Sequence, residues 1–313
     1  MFSLPEKFLS GPFARAAALD AGIPARVLEG RRFRRLHKGV YCHRDHELTW
    51  ADRVLAARLA LPASVRTTGA TRLQELGLDV GPRSPLHFVV EADLHLVLDG
   101  VFLHRTVKTP PGDDVGVSVE AAFLAYCAES RTIDAIKAGC MLLRRKLLDP
   151  DELERILTEE RWRRGVAETS YVLPFLDGRC RSLPEAELLA YVVSAGLPIP
   201  EVNETIELAP GLEVTPDQWY VSYEVAIEYE GSQHQEDRGQ YNADIDRYAA
   251  YRRHKVAYEL ITKERMRSPK ATVRMVHAAL AARGYDGPAP DFEGLWGTLF
   301  GPLANVVRRR RAA

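Results

Sequence analysis

Hydrophobic positions change period several times along the chain, and each change outlines an element. An alanine-rich stretch over residues 12–21 repeats at helical spacing and stops at Gly22. Pro24 then opens a short helix over residues 24–30, since proline suits a first helical turn. Residues 33–41 alternate around Lys38-Gly39, as a β-hairpin does. Helical periodicity returns over 50–61 and 70–76. Two strand-like runs, 86–91 and 101–107, lie either side of a turn at Asp99-Gly100, and helices are predicted over 118–130, 132–147 and 151–159.

A basic stretch at 161–165 marks a domain edge, and Ser182 then caps a helix over 182–195, with Glu185 placed to complete a capping box. Strands are predicted over 201–208, 218–220, 225–230 and 257–262, with helices over 237–254 and 268–283. The order is α-β-β-β-α-β-α. From Gly287 the chain is rich in Pro and Gly and reads as a tail ending in Arg308 to Arg311.

With 313 residues, 46% hydrophobic and 27% charged, the chain is long enough for two ordinary domains, with a single domain as the alternative. The net charge of -1 gives no global basic field, so any contact with nucleic acid must come from local patches. One such patch gathers Arg26, Arg31, Arg32, Arg34, Arg35, Lys38 and Arg44 against the single acid Glu29, on a helix-helix-hairpin outline suited to a winged helix-turn-helix. Cys42, Cys127, Cys140 and Cys180 show no zinc-ligand spacing and read as reduced, buried thiols. No secretory leader or membrane-spanning run is legible, because Arg58 interrupts the apolar run 54–65, so a cytoplasmic protein without a membrane partner is expected.

Carboxylates gather around the predicted strands. Asp217 opens one strand, and Glu228 and Glu230 share a face of the next, since strand side chains alternate. Two like charges on one face are costly unless something neutralises them, and a hard cation such as Mg²⁺ takes oxygen ligands of this kind. His234 follows the Gly231 turn as a proton carrier or further ligand, and Glu185 is both the capping partner and a candidate acid. A solvated strand edge and an ordinary loop histidine are the plainer readings of the same residues.

Ser182-x-x-Glu185, Gly196-Leu197-Pro198-x-Pro200, Pro216-Asp217, Glu228-Tyr229-Glu230-Gly231-x-x-His234 and Asp244-x-x-Arg247 together resemble the very-short-patch-repair-like endonuclease domain of the PD-(D/E)XK nuclease superfamily. The resemblance implies a four-stranded mixed sheet flanked by helices and Mg²⁺-dependent phosphodiester hydrolysis, with Mn²⁺ as an alternative cation. Asp217, Glu228 and Glu230 would hold the metal, Glu185 and His234 would join the catalytic set, and Asp244 and Arg247 would support it. Glu230 stands where the superfamily carries lysine, and His234, Lys255 or Lys263 would have to take that role. At the other end, Ala17-x-x-x-Ala21-Gly22-Ile23 with residues 33–41 resembles the winged-helix domain of abortive-infection type antitoxins, which implies operator binding.

The expected fold is therefore α/β in the α+β sense: a winged helix-turn-helix (1–48), a small α/β middle domain (49–165), a restriction-endonuclease-like domain (166–286) and a tail (287–313). The expected function is metal-dependent cleavage or nicking of double-stranded DNA. The alternative is a non-enzymatic, antitoxin-like repressor with a degenerate nuclease fold, and either form could work with a toxin or phage-defence partner.

Overall fold

The computed structural model describes residues 4–231 and 238–312, and the side chains of all of these except 238–244 and 311–312. The chain is a mixed α/β protein of two compact units, Met1–Ala125 and Tyr126–Ala313.

The first unit begins with β1 (Phe13–Ala14), α1 (Arg15–Asp20), α2 (Ala25–Leu28), β2 (Phe33–His37) and β3 (Val40–His43). Both helices are shorter than the sequence pattern suggests. Phe13 and Ala14 pair with Tyr41 and Val40, which takes them out of the first helix, and Pro24, at an extended ψ of 143°, is the N-cap of α2 and not its first residue. Gly39, at φ +78°, turns the hairpin in a conformation that glycine adopts without strain. Phe8, Phe13, Ala18, Ile23, Leu28, Phe33 and Tyr41 form the core beneath. Phe13 meets Phe8 and Phe33 edge to face at centroid distances of 4.9 and 5.4 Å, contacts worth about 0.5–1.5 kcal/mol each beyond burial.

Next come α3 (Trp50–Ala60), β4 (Arg66–Thr67), α4 (Gly69–Glu75), β5 (Leu86–Val90) and β6 (Val101–Arg105). Helix α3 starts in a capping box between Thr49 and Asp52 and packs against β1, β2 and β3, which joins residues on both sides of position 48 in one unit. Strands β5 and β6 pair in parallel, so the Asp99-Gly100 turn ends a crossover and does not close a hairpin. Helix α5 (Val119–Cys127) runs across the division between units.

The second unit continues with α6 (Thr132–Arg144), α7 (Pro150–Glu159), α8 (Val166–Val172) and α9 (Leu183–Ser194). Strands β7 (Glu201–Val202), β8 (Ile206–Ala209), β9 (Leu212–Val214), β10 (Gln218–Tyr220) and β11 (Val225–Glu230) follow, then α10 (Arg238–Arg253), β12 (Ala257–Thr262), α11 (Lys263–Met266) and α12 (Pro269–Ala281). The sheet order β12-β11-β10-β7 makes a four-stranded mixed sheet, parallel between β11 and β12 and antiparallel elsewhere. The single strand expected over 201–208 is broken. Asn203, at φ +50°, turns the chain after β7, and β8 pairs with β9 as a separate hairpin.

On one sheet face Trp219 and Ala226 pack with Ala250 and Tyr251 of α10, while α12 packs against β11 and β12 and also against α9. Residues 287–313, read from sequence as a tail, form α13 (Trp296–Leu299) and α14 (Leu303–Ala312). Trp296, Leu299 and Leu303 are at most 3% exposed, and these helices pack against α6, α8 and α9, so the segment belongs to the core of its unit. All four cysteines are buried and unbridged. No helix among the described residues is long and apolar enough to cross a membrane.

Candidate active site

The carboxylates meet where β10 begins and β11 ends. Gln218 pairs with Ile227, so Asp217, one step earlier, comes opposite Glu228 across the two strands. Asp217 Oδ2 accepts the Tyr229 N–H at 2.7 Å, which ties its carboxyl into the sheet.

Glu228 is 1% exposed, and a bare carboxylate there would be very costly. Helix α10 compensates it. The Tyr251 hydroxyl donates to Glu228 Oε1 at 2.7 Å and Arg247 Nε lies 3.3 Å from the same oxygen. Arg247 and Tyr251 are four residues apart and therefore share a helix face. Burial first, then the Glu228 charge, pushes the Tyr251 phenol well above its ordinary range, so it stays a donor.

Glu185 reaches the same place from α9. Ser182 Oγ accepts the Glu185 N–H at 3.3 Å, as a cap should, but the reciprocal backbone bond comes from Arg181 N–H to Glu185 Oε2 at 2.8 Å, one residue earlier than in a capping box. Ser182 Oγ–H donates to Glu185 Oε1 and Asn203 Nδ2 to Glu185 Oε2, both at 2.8 Å. Asn203 also gives its backbone N–H to the Asp217 carbonyl at 3.1 Å, so one residue in the left-handed region links two of the acids. Both oxygens of Glu185 are thus held by protein donors, which suits it to shaping the field more than to ligating an ion.

Burial, followed by the charges of Glu228 and Glu185, pushes the Asp217 carboxyl up to about 8, with Arg247 pulling the other way. At neutral pH the cluster therefore keeps a proton on Asp217. A divalent cation would be the alternative neutralisation, since Asp217 and Glu228, opposite each other across two strands, offer hard oxygen donors.

The remaining predicted residues separate. Glu230 is exposed at the end of β11 and makes no hydrogen bond or ion pair to this cluster among the described residues. His234 lies outside the described residues, as does the side chain of Asp244, whose backbone is part of α10. The lysine candidates divide by register. Ala257 pairs with Val225, so Lys255 sits beyond the far end of β11, at least about 10 Å along the strand from Glu228. Lys263 directly follows Thr262, the partner of Glu230, and lies at the correct end. Tyr251 and Asn203 escape a sequence reading: Arg247-x-x-x-Tyr251 has the spacing of a shared face, but nothing local marks Asn203.

In the first unit, Arg26, Arg31, Arg32, Arg35 and Lys38 are exposed and form no ion pair among the described residues. Arg34 differs from the other candidate DNA contacts. Half-buried on the opposite side of β2 from Arg35, it donates to the His46 carbonyl and so braces the segment after the hairpin.

No family model matches the chain. An uncharacterized protein of Mycobacterium tuberculosis, found in two strains, is 35% identical over 79 residues, which is 25% of this chain. The match spans 29% of that relative's length.

Proposed function

We propose that the chain is a Mg²⁺-dependent DNA endonuclease or nickase whose carboxylate site lies in the second unit and whose exposed basic wing in the first unit holds the duplex. The observation that carries this reading is the convergence of Asp217, Glu228 and Glu185, with Asp217 pushed up to about 8. A purely structural cluster gains nothing from three acids that force one of their number to stay protonated. Asp217 and Glu228 would hold the metal, which when bound supplies the positive charge that activates water and stabilises a phosphodiester under attack. Asn203 and the α9 N-terminus fix Glu185, and Arg247 and Tyr251 hold the Glu228 carboxyl in place. His234 and Lys263 are the two groups proposed for the lysine role that Glu230 cannot fill. The wing arginines bind phosphates and set register without reading sequence.

The test is nicking of supercoiled plasmid with Mg²⁺ or Mn²⁺. Asp217→Ala and Glu228→Gln should each abolish cleavage, and His234→Ala should cost about 10²–10⁴-fold if it is the general acid or base. Equal cleavage by wild type and both carboxylate variants would remove the site.

One observation favours the second reading, a DNA-binding repressor on a degenerate nuclease fold. Glu228 is almost fully enclosed and already compensated by Arg247 and Tyr251, while an acid stands at the lysine position. Duplex binding without cleavage under any divalent cation would decide for it. A toxin or defence partner is compatible with either reading.

A further inference from the structure

A second cationic surface lies in the unit that carries the acids. Helix α8 follows the segment Arg161-Trp162-Arg163-Arg164-Gly165, in which Gly165, at φ +95°, turns the chain into the helix. Arg163 is 8% exposed and donates its Nε–H to Glu160 at 2.8 Å, and its guanidinium lies 4.6 Å from the Trp162 ring centroid. A buried ion pair thus props an indole that remains 52% exposed. Arg161, beside it, is exposed and has no ion pair among the described residues.

Helix α14 runs alongside α8. Its start is fixed by the Leu303 N–H to the Ser130 carbonyl at 3.0 Å, near Glu129, which pairs with Arg164 at 3.0 Å. Near its end the Arg310 guanidinium lies 4.8 Å from the Tyr171 ring centroid, and the Tyr171 hydroxyl meets Thr298 Oγ1 at 3.2 Å. Leu303 and Val307 are turned into the fold, while Arg308, Arg309 and Arg310 are exposed without an acidic partner among the described residues. Four such guanidinium groups and two anchored aromatic rings therefore flank one short helix.

We propose that this α8/α14 surface is a second contact for the phosphate backbone of duplex DNA. The proposal rests on the DNA-binding reading above but not on cleavage. Arginine suits phosphate because its planar fork donates two parallel bonds. A membrane-surface helix would keep its apolar stripe outward for the acyl chains, whereas α14 has already committed Leu303 and Val307 to packing. An exposed tryptophan held by a cation adds a flat edge against sugar and base.

The experiment uses the full chain in EDTA, so that cleavage plays no part, with a fluorescein-labelled duplex and anisotropy titrations across a range of KCl. Replacing Arg308, Arg309 and Arg310 with alanine should lower the slope of log K against log salt by up to about 2.7, at about 0.9 for each phosphate no longer neutralised. Arg309→Glu, a single exposed change, should weaken binding with an unaltered circular dichroism spectrum. DNA should also shift the tryptophan emission of wild type more than that of Trp162→Phe. Unchanged affinity and slope in both arginine variants overturn the proposal, as does wild type that binds no duplex at low salt. Variant-sensitive binding to phosphatidylglycerol vesicles with an unchanged DNA slope overturns it in favour of a membrane. Duplex binding that both arginine variants weaken supports the proposal whether or not the chain nicks DNA when a metal is added, so its failure is distinct from failure of the endonuclease reading.

Discussion

Asp217 keeps its proton to about 8, whereas an unfolded aspartate loses it near the ordinary value of 3.8. The folded chain therefore binds more protons than the unfolded chain between those values, and stability falls as pH rises through that window. The contribution is fully present below the unfolded value and lost above the folded one. Asp217→Asn, which stays neutral, should flatten this part of the profile and melt above wild type at pH 9 in EDTA, with the difference shrinking towards pH 5. A wild-type midpoint that rises from pH 5 to 9 relative to the variant would mean the carboxyl is stabilised in its charged form, against the enclosed geometry of the cluster.

At the scale of elements, the hairpin β2–β3 and the turn before it carry two kinds of basic residue. Arg31, Arg32, Arg35 and Lys38 face solvent, while Arg34 braces the chain through the His46 carbonyl. Replacing the four exposed residues with alanine should reduce the salt slope of duplex binding by about 0.9 for each phosphate that is no longer neutralised, with the melting temperature unchanged. Arg34→Ala should do the opposite, lowering the melting temperature with little change of slope. Identical behaviour of the two variants would contradict the assignment of faces.

Sequence pattern alone distinguishes these arginines poorly, because alternation separates Arg34 from Arg35 but does not say which side faces water. It does better for β10, β11 and β12, whose bounds read from the sequence, 218–220, 225–230 and 257–262, are those of the structure. It fails at β7–β8, where pattern continues through Asn203 but the backbone turns, and at residues 287–313, where Pro and Gly conceal two helices anchored by Trp296 and Leu303. Asp217 and Glu228 are legible as candidate acids. Their enclosure by Tyr251, Arg247 and Asn203 is a long-range result of packing α9 and α10 around the sheet, and no local spacing encodes it.

For the whole molecule, the proposed function would make a proton, a cation and DNA one linked system. Wild type at pH 7 carries a proton where a metal would sit, so binding the metal must expel that proton. Calorimetric titration of the full chain with Mn²⁺, in two buffers of different ionisation enthalpy, measures this directly. Release of about one proton per ion is expected at pH 7, falling towards zero at pH 9 as Asp217 ionises unaided, with loss of binding in Asp217→Asn. Absence of binding at both pH values, or binding without proton release that Asp217→Asn leaves intact, would contradict a metal site at Asp217 and Glu228.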